Sequence, residues 1–373
     1  ISSHHEIHDH FHPGVTAYLN ANGGSANALF GASGGFELGF AKGWSVAARG
    51  GGNRTGDYQT PIGQLFNSGT RQAGGGGAFG WTGDHAFWKI AYDYEDGRHG
   101  VPFAALIEEA GGAPIVVLPG KVIGQSDERI LVDSKRHNAR FTTGVRHLQS
   151  FVESVRLQLD YANYHHDEVE VHDGEEEIGT SFDNKLLSYR AMFEQRKSGP
   201  LTGRFGVSGF HRQYDTVGAE ALAPPVDANS VAAFALQELG FERLRFQFGG
   251  RLEHTSFRVQ DALSGLPNRD FTGFSGAAGV HVPLWRGGAV VANYTHSFRA
   301  PAIEELYNNG PHVGNVTFEL GNAALDPERS NGFDFALRHQ SSRLRAEFNF
   351  FHYSLSDYIF LAPTGNIEDG LIE

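Results

Sequence analysis

Polar and apolar residues alternate along almost the whole chain with a period of two. In Val155-Arg156-Leu157-Gln158-Leu159-Asp160-Tyr161 the alternation is unbroken, and Leu244-Arg245-Phe246-Gln247-Phe248 and Phe333-Asp334-Phe335-Ala336-Leu337-Arg338 repeat it. This pattern builds strands with one apolar and one polar face. No long segment spaces its apolar residues three and four apart, as an amphipathic helix requires.

The connections constrain the chain further. Fifteen extended segments are expected, from 14–22 at one end, through segments that include 44–54, 70–82 and 288–299, to 343–361 at the other. Tight turns are expected at Ala41-Lys42-Gly43, Thr82-Gly83-Asp84, Ser198-Gly199-Pro200, Trp285-Arg286-Gly287-Gly288 and Ser341-Ser342. The alternate links are long, at 55–69, 99–129, 167–180, 216–229, 259–270 and 300–329. Gly23-Gly24-Ser25 is short where a long link is due. Short turns on one rim and long loops on the other describe a transmembrane β-barrel with periplasmic turns. Many of the segments also exceed the roughly 5–6 residues usual for strands of a soluble sandwich.

Composition agrees. The chain has 49 Gly among 373 residues, yet 12% aromatic residues argue against disorder. No stretch approaches the roughly 20 apolar residues of a transmembrane helix. If the chain crosses a membrane it must do so as a closed barrel, which alone among sheets satisfies every backbone group in lipid. A net charge of −13 excludes nucleic acid as an expected partner. The absence of cysteine excludes disulfides, thiolate metal sites and thiol nucleophiles.

Residue 1 is Ile and the only methionine is Met192. Bacterial single-chain barrels have even strand numbers. The expectation is therefore an incomplete barrel, with further strands beyond residue 373.

Residues 297–330 read Ser-Phe-Arg-Ala-Pro-Ala-Ile-Glu-Glu-Leu-Tyr, then Asn-Asn-Gly-Pro-His-Val-Gly-Asn-Val-Thr-Phe-Glu-Leu-Gly-Asn-Ala-Ala-Leu-Asp-Pro-Glu-Arg-Ser. This stretch resembles the strand–loop–strand motif of TonB-dependent outer-membrane receptors, and Asp357-Tyr358-Ile359-Phe360 resembles the end of the family's next strand. The resemblance implies an all-β, antiparallel up-and-down barrel of about 22 strands, of which about 15 are present. It also implies an N-terminal plug, absent here, gripped by the periplasmic TonB energy-transducing complex. Residues 1–13 would then be the plug–barrel junction and 14–373 the partial barrel.

Histidine and carboxylate runs supply the candidate ligand sites. His165, His166, Asp167, His172 and Asp173 fall within the expected long link at 167–180 or beside it. His8 and His10 lie in the N-terminal run, and His312 lies in the loop of the family motif. Imidazole with carboxylate suits zinc, nickel or copper(II). The bland reading of residues 165–177 is a solvated acidic loop. His99, His137, His147, His211, His254, His281, His296 and His352 are expected to be wall residues, the polar ones turned to the lumen. Trp44, Trp81, Trp88 and Trp285 lie beside the short turns and fit an interfacial aromatic girdle. Gly74-Gly75-Gly76-Gly77 lacks a phosphate-loop ending and is expected to let another element, such as a plug, pack close.

No nucleophile elbow or His-Glu-x-x-His is present, so no enzyme is expected and no cofactor is required. The expected function is energised uptake across the bacterial outer membrane of a scarce ligand, a metal ion such as zinc or a metal chelate such as a siderophore. A passive porin-like or structural barrel is the alternative.

Overall fold

The computed structural model describes residues 12–110, 119–218, 221–312, 317–368 and 371–373. Fifteen strands form one sheet in which each strand pairs antiparallel with the next in sequence. They are β1 (Gly14–Gly24), β2 (Leu29–Phe40), β3 (Trp44–Arg54), β4 (Thr70–Thr82), β5 (Ala86–Gly100), β6 (Arg129–Val145), β7 (Val152–His172) and β8 (Glu175–Ser198). The series continues with β9 (Leu201–Gly218), β10 (Val226–Phe241), β11 (Leu244–Val259), β12 (Arg269–Trp285), β13 (Gly288–Arg299), β14 (Glu328–Gln340) and β15 (Arg345–Ser356). The long links add a helix α1 (Ala104–Ala110), a helical turn α2 (Ile303–Tyr307) and short strands that form two small sheets.

Adjacent residues of a strand face opposite sides, and directly paired residues face the same side. One face therefore carries the row Arg49, Gly76, Asp93, Asn138, Ala162, Leu186, Arg212 across seven strands. The other face carries Val231, Leu252, Phe274, Phe333 and Phe350, all highly exposed. An apolar face toward lipid and a polar face toward the lumen is the arrangement of a membrane barrel.

Three expectations change. The link expected at 167–180 is not long: β7 and β8 continue past it and close on the two residues Asp173-Gly174. Both have positive φ, 50° and 86°, the requirement of a tight type I′ hairpin turn. Asp-Gly is the strongest short hairpin signal, but here it is embedded in a run of acids that reads as loop. The space beside Gly76 is filled by the sheet itself, because Arg49 reaches over it to Asp93 at 2.6 Å. Finally, His137, His211, His254, His296 and His352 face outward, not into the lumen, since their register rows include Tyr94, Leu187, Val231 and Phe333.

The Trp expectation holds on the outer face. Trp44, Trp81 and Trp88 share one row, and Trp44 stacks on Phe79 at 5.3 Å and meets Trp88 edge-on at 5.8 Å. Trp285 donates its indole N–H to His339 Nδ1 at 3.0 Å.

Candidate functional site

Strand alternation separates residues that the sequence presents as one cluster. On β7, His165 and Asp167 share the outward face with Tyr161, while His166 and Glu168 share the lumenal face with Ala162. The two sets therefore meet different partners.

His165 is held between two carboxylates: Asp183 Oδ1 lies 3.1 Å from Nδ1, and Asp167 Oδ1 lies 3.1 Å from Nε2. Ser181 donates its hydroxyl to the same Asp167 oxygen. The carboxylates sit on opposite ring nitrogens, so they cannot converge on one ion beside a single nitrogen. His172 is similarly placed, with Glu128 2.9 Å from Nδ1 and Glu170 3.6 Å from Nε2. Asp173 is used by the turn. Among the described residues, no group of three or more His, Asp or Glu is arranged to hold a metal ion. His8 and His10 lie outside the described residues.

The lumenal side is different. His166 stacks on its cross-strand partner Phe182 with ring centroids 4.2 Å apart and planes 11° from parallel. Its Nδ1 is buried without a hydrogen-bond partner, as is Thr180 Oγ1. Glu168, directly paired with Thr180, is buried. A buried polar atom without a protein partner calls for an explanation, a bound water or ion being one kind.

The loop between β13 and β14 folds onto this region. It opens with α2, whose Ile303, Leu306 and Tyr307 are each 1% exposed. They pack against Phe182, Tyr214, Val226, Ala228, Phe257 and Phe271, all on lumenal rows of the wall. Burying such side chains contributes about 1.5–3 kcal/mol each. Arg212 of the wall donates to Glu304 Oε1 at 2.7 Å, and Tyr307 Oη donates to Pro267 O at 2.9 Å. At the loop's base, Arg299 holds Glu305 at 2.9 and 3.0 Å and also pairs with Glu328.

After α2 the loop forms a hairpin, Asn309–His312 against Thr317–Leu320. Inside it His312 Nδ1 lies 2.8 Å from Glu319 Oε1, and Asn308 Nδ2 donates to Glu319 Oε2 at 2.8 Å. The hydrogen bond with Glu319 raises the His312 pKa above the usual imidazole range, against the opposing effect of burial. The Glu168 carboxylate is close enough to raise it further, and His312 in turn acts on His166. The fold thus brings together His166 of β7 and His312 of the loop, two sequence candidates from separate clusters. Asn308, with its Oδ1 buried and unpartnered, and Thr180 complete the group. Neither residue type carries a sequence signal that would have singled it out. The assembly can receive a polar ligand group beside two imidazoles and two carboxylates.

The strand order, the inward-folded loop and the lipid-facing apolar rows together define the class. Residues 18–371 match the model of the TonB dependent receptor-like β-barrel. The chain belongs to this family. Barrels of the TonB-dependent receptors are bacterial outer-membrane proteins, and this is an outer-membrane barrel. The chain is similar to the solved copper transporter OprC, with TM-score 0.71 and 16% identity, over 93% of this chain and 55% of that one. It is similar to a double mutant of the Serratia marcescens hemophore receptor HasR in complex with its hemophore HasA and heme, with TM-score 0.68 and 16% identity, over 94% of this chain and 55% of that one. The FrpB iron transporter from Neisseria meningitidis gives TM-score 0.66 and 10% identity, over 96% of this chain and 56% of that one. At these identities the likeness is one of fold. The chain spans a little over half the length of these TonB-dependent relatives.

Proposed function

We propose that this barrel belongs to a receptor for energised uptake of a scarce metal-bearing ligand, either a metal ion such as zinc or a metal chelate of the siderophore kind. The observation that carries the reading is the His312–Glu319 pair of the loop hairpin, near enough to Glu168 and His166 on the lumenal wall for charge on one to act on another. A ligand entering from the long-loop side would meet these groups first. The relatives named for copper, heme and iron transport support a metal-bearing cargo. In the whole protein a plug preceding residue 14 would occupy the lumen, residues 1–13 would join it to the barrel, and the periplasmic TonB complex would supply the energy.

Calorimetry on the full-length receptor tests this reading, with zinc and a ferric siderophore as separate titrants. His166→Ala and His312→Ala are each expected to weaken binding of the recognised titrant by about tenfold, equivalent to ~1.4 kcal/mol. His165→Ala, altering the outward neighbour, is expected to leave it within about twofold. Loss on His165→Ala with none on His166→Ala would place the ligand elsewhere.

A further inference from the structure

Among the described residues, besides His165 on β7 and His339 on β14, five histidines face outward, on β6 (His137), β9 (His211), β11 (His254), β13 (His296) and β15 (His352). Their heights follow from the strand register. The row of His137 reaches Gln213 on β9, two residues from His211. The row of His211 reaches Ser256 on β11, two residues from His254. His254 pairs with Thr272 on β12, four residues from Gly276, the partner of His296. The row of His296 reaches Ser354 on β15, two residues from His352.

Every step runs toward the short turns, for a drift of ten residues over nine strands. At ~3.4 Å per residue and ~4.8 Å between strands, this corresponds to a slope of about 38°. Barrel strands tilt by about 35–45°, so the five imidazoles stand at one height on the wall. The tryptophans give the same slope independently. The row of Trp44 reaches Phe274 on β12, eleven residues from Trp285, again over nine strands.

The belt lies at a chemical boundary. On the five histidine-bearing strands, the outward positions between each His and the short turn hold no charged residue. On β11, for example, they are Leu252, Gly250, Phe248, Phe246 and Leu244. His296 is eight residues along β13 from Gly288, the partner of Trp285. That spacing is ~20 Å of height, close to the ~25 Å apolar band of an outer-membrane barrel.

Each ring has a defined pose. Nδ1 of His137 bonds Tyr92 Oη at 2.7 Å, and Nδ1 of His211 bonds Asn229 Oδ1 at 2.8 Å. Nδ1 of His254 bonds Thr272 Oγ1 at 2.8 Å, and Nδ1 of His296 bonds Asn331 Oδ1 at 2.9 Å. One nitrogen is thus tied along the sheet in four of the five. Lys135 and Lys185 face outward at or just above the belt and form no ion pair among the described residues. Of the nearby carboxylates, Asp270 is bound by Arg258 at 2.7 Å and also lies 3.8 Å from His254 Nε2, Asp227 accepts from Gln260 at 3.0 Å, and Asp167 and Asp183 flank His165, the cross-strand partner of Lys135.

We propose that this belt, with Lys135 and Lys185, docks the phosphate groups of lipids in the external leaflet. The occupant is lipid because the belt is continuous with the apolar band, at the level where headgroups begin. The phosphate is selected by the ammonium groups of Lys135 and Lys185 and by those belt rings that are protonated, since Nδ1 of His211 and of His296 already donates to an amide oxygen and a neutral ring then offers only an acceptor at Nε2.

The test uses the full-length receptor reconstituted in phosphatidylcholine vesicles, with or without one third phosphatidic acid, and reads the thermal midpoint of barrel unfolding. Phosphatidic acid is expected to raise the midpoint of the native protein. In a variant with all five histidines changed to Gln, that increment should fall by more than half, while the midpoint in pure phosphatidylcholine is unchanged. An equal increment in both proteins overturns the proposal. If the variant fails to insert, 15N-histidine spectra of the native protein serve: imidazole shifts that are the same in both lipids also overturn it. If inorganic phosphate added to detergent-solubilised receptor reproduces the full increment, the site is one for free phosphate, and the lipid assignment fails.

Discussion

Arg49 and Asp93 form an ion pair at 2.6 Å although a whole strand separates them. Gly76, their common partner on β4, makes this possible. A Cβ there would collide with the Asp93 carboxylate and the Tyr92 carbonyl. Gly76→Ala is therefore expected to break the pair and destabilise the barrel by about 1–3 kcal/mol. Gly50→Ala, whose nearest neighbour would be Gly74 O at 3.6 Å, is expected to be tolerated. Urea unfolding of the two variants in vesicles, compared with the parent, measures the difference.

The Asp173-Gly174 turn makes a second prediction. A Cβ on Gly174 would meet nothing within 4 Å, so any effect of substitution is purely one of backbone conformation. Gly174→Val, at φ 86°, should cost about 1–2 kcal/mol locally. Hydrogen exchange of the amides from 165 to 181 should accelerate in this variant. Unchanged exchange would mean that the segment is a loop after all.

A third prediction concerns α2. Leu306 is 1% exposed against the lumenal wall. Leu306→Ala should weaken the seating of the loop by about 2–5 kcal/mol. Limited proteolysis would then cut between 300 and 327 while the wall strands stay intact. Cleavage no faster than in the parent would count against a loop held by its apolar anchor.

The His312–Glu319 pair gives a pH dependence with a definite sign. The folded-state pKa of His312 is raised above the unfolded value of about 6.5. Its stabilisation is therefore fully present below about pH 6.5 and is lost as pH rises through the folded value. Protection of the hairpin amides at 309–312 and 317–320, corrected for intrinsic exchange, should be lower at about pH 8 than at about pH 6. His312→Gln should remove this difference.

The wall was legible in the sequence because two-residue alternation is local. β3 at Trp44–Arg54, β4 at Thr70–Thr82 and β13 at Gly288–Arg299 have the limits expected from pattern alone. The β7–β8 hairpin was obscured because Glu175, Glu176 and Glu177 continue strands while looking like solvated loop. The candidate site was only half legible. The residue types were visible, but His166 and His312 are brought together by tertiary folding of the loop, which no local pattern encodes. The outward histidines were misread because facing depends on register, and their common height depends on register summed over nine strands.

The split between His165 and His166 has a consequence for how such a wall can change over time. Neighbours in the chain answer to separate environments, so substitutions at alternate positions can adapt the protein to a new cargo or to a new membrane independently. Insertions do not have that freedom. One extra residue between Val155 and His165 would exchange the two audiences for every side chain beyond it, which leaves the turns and long loops as the places where length can drift.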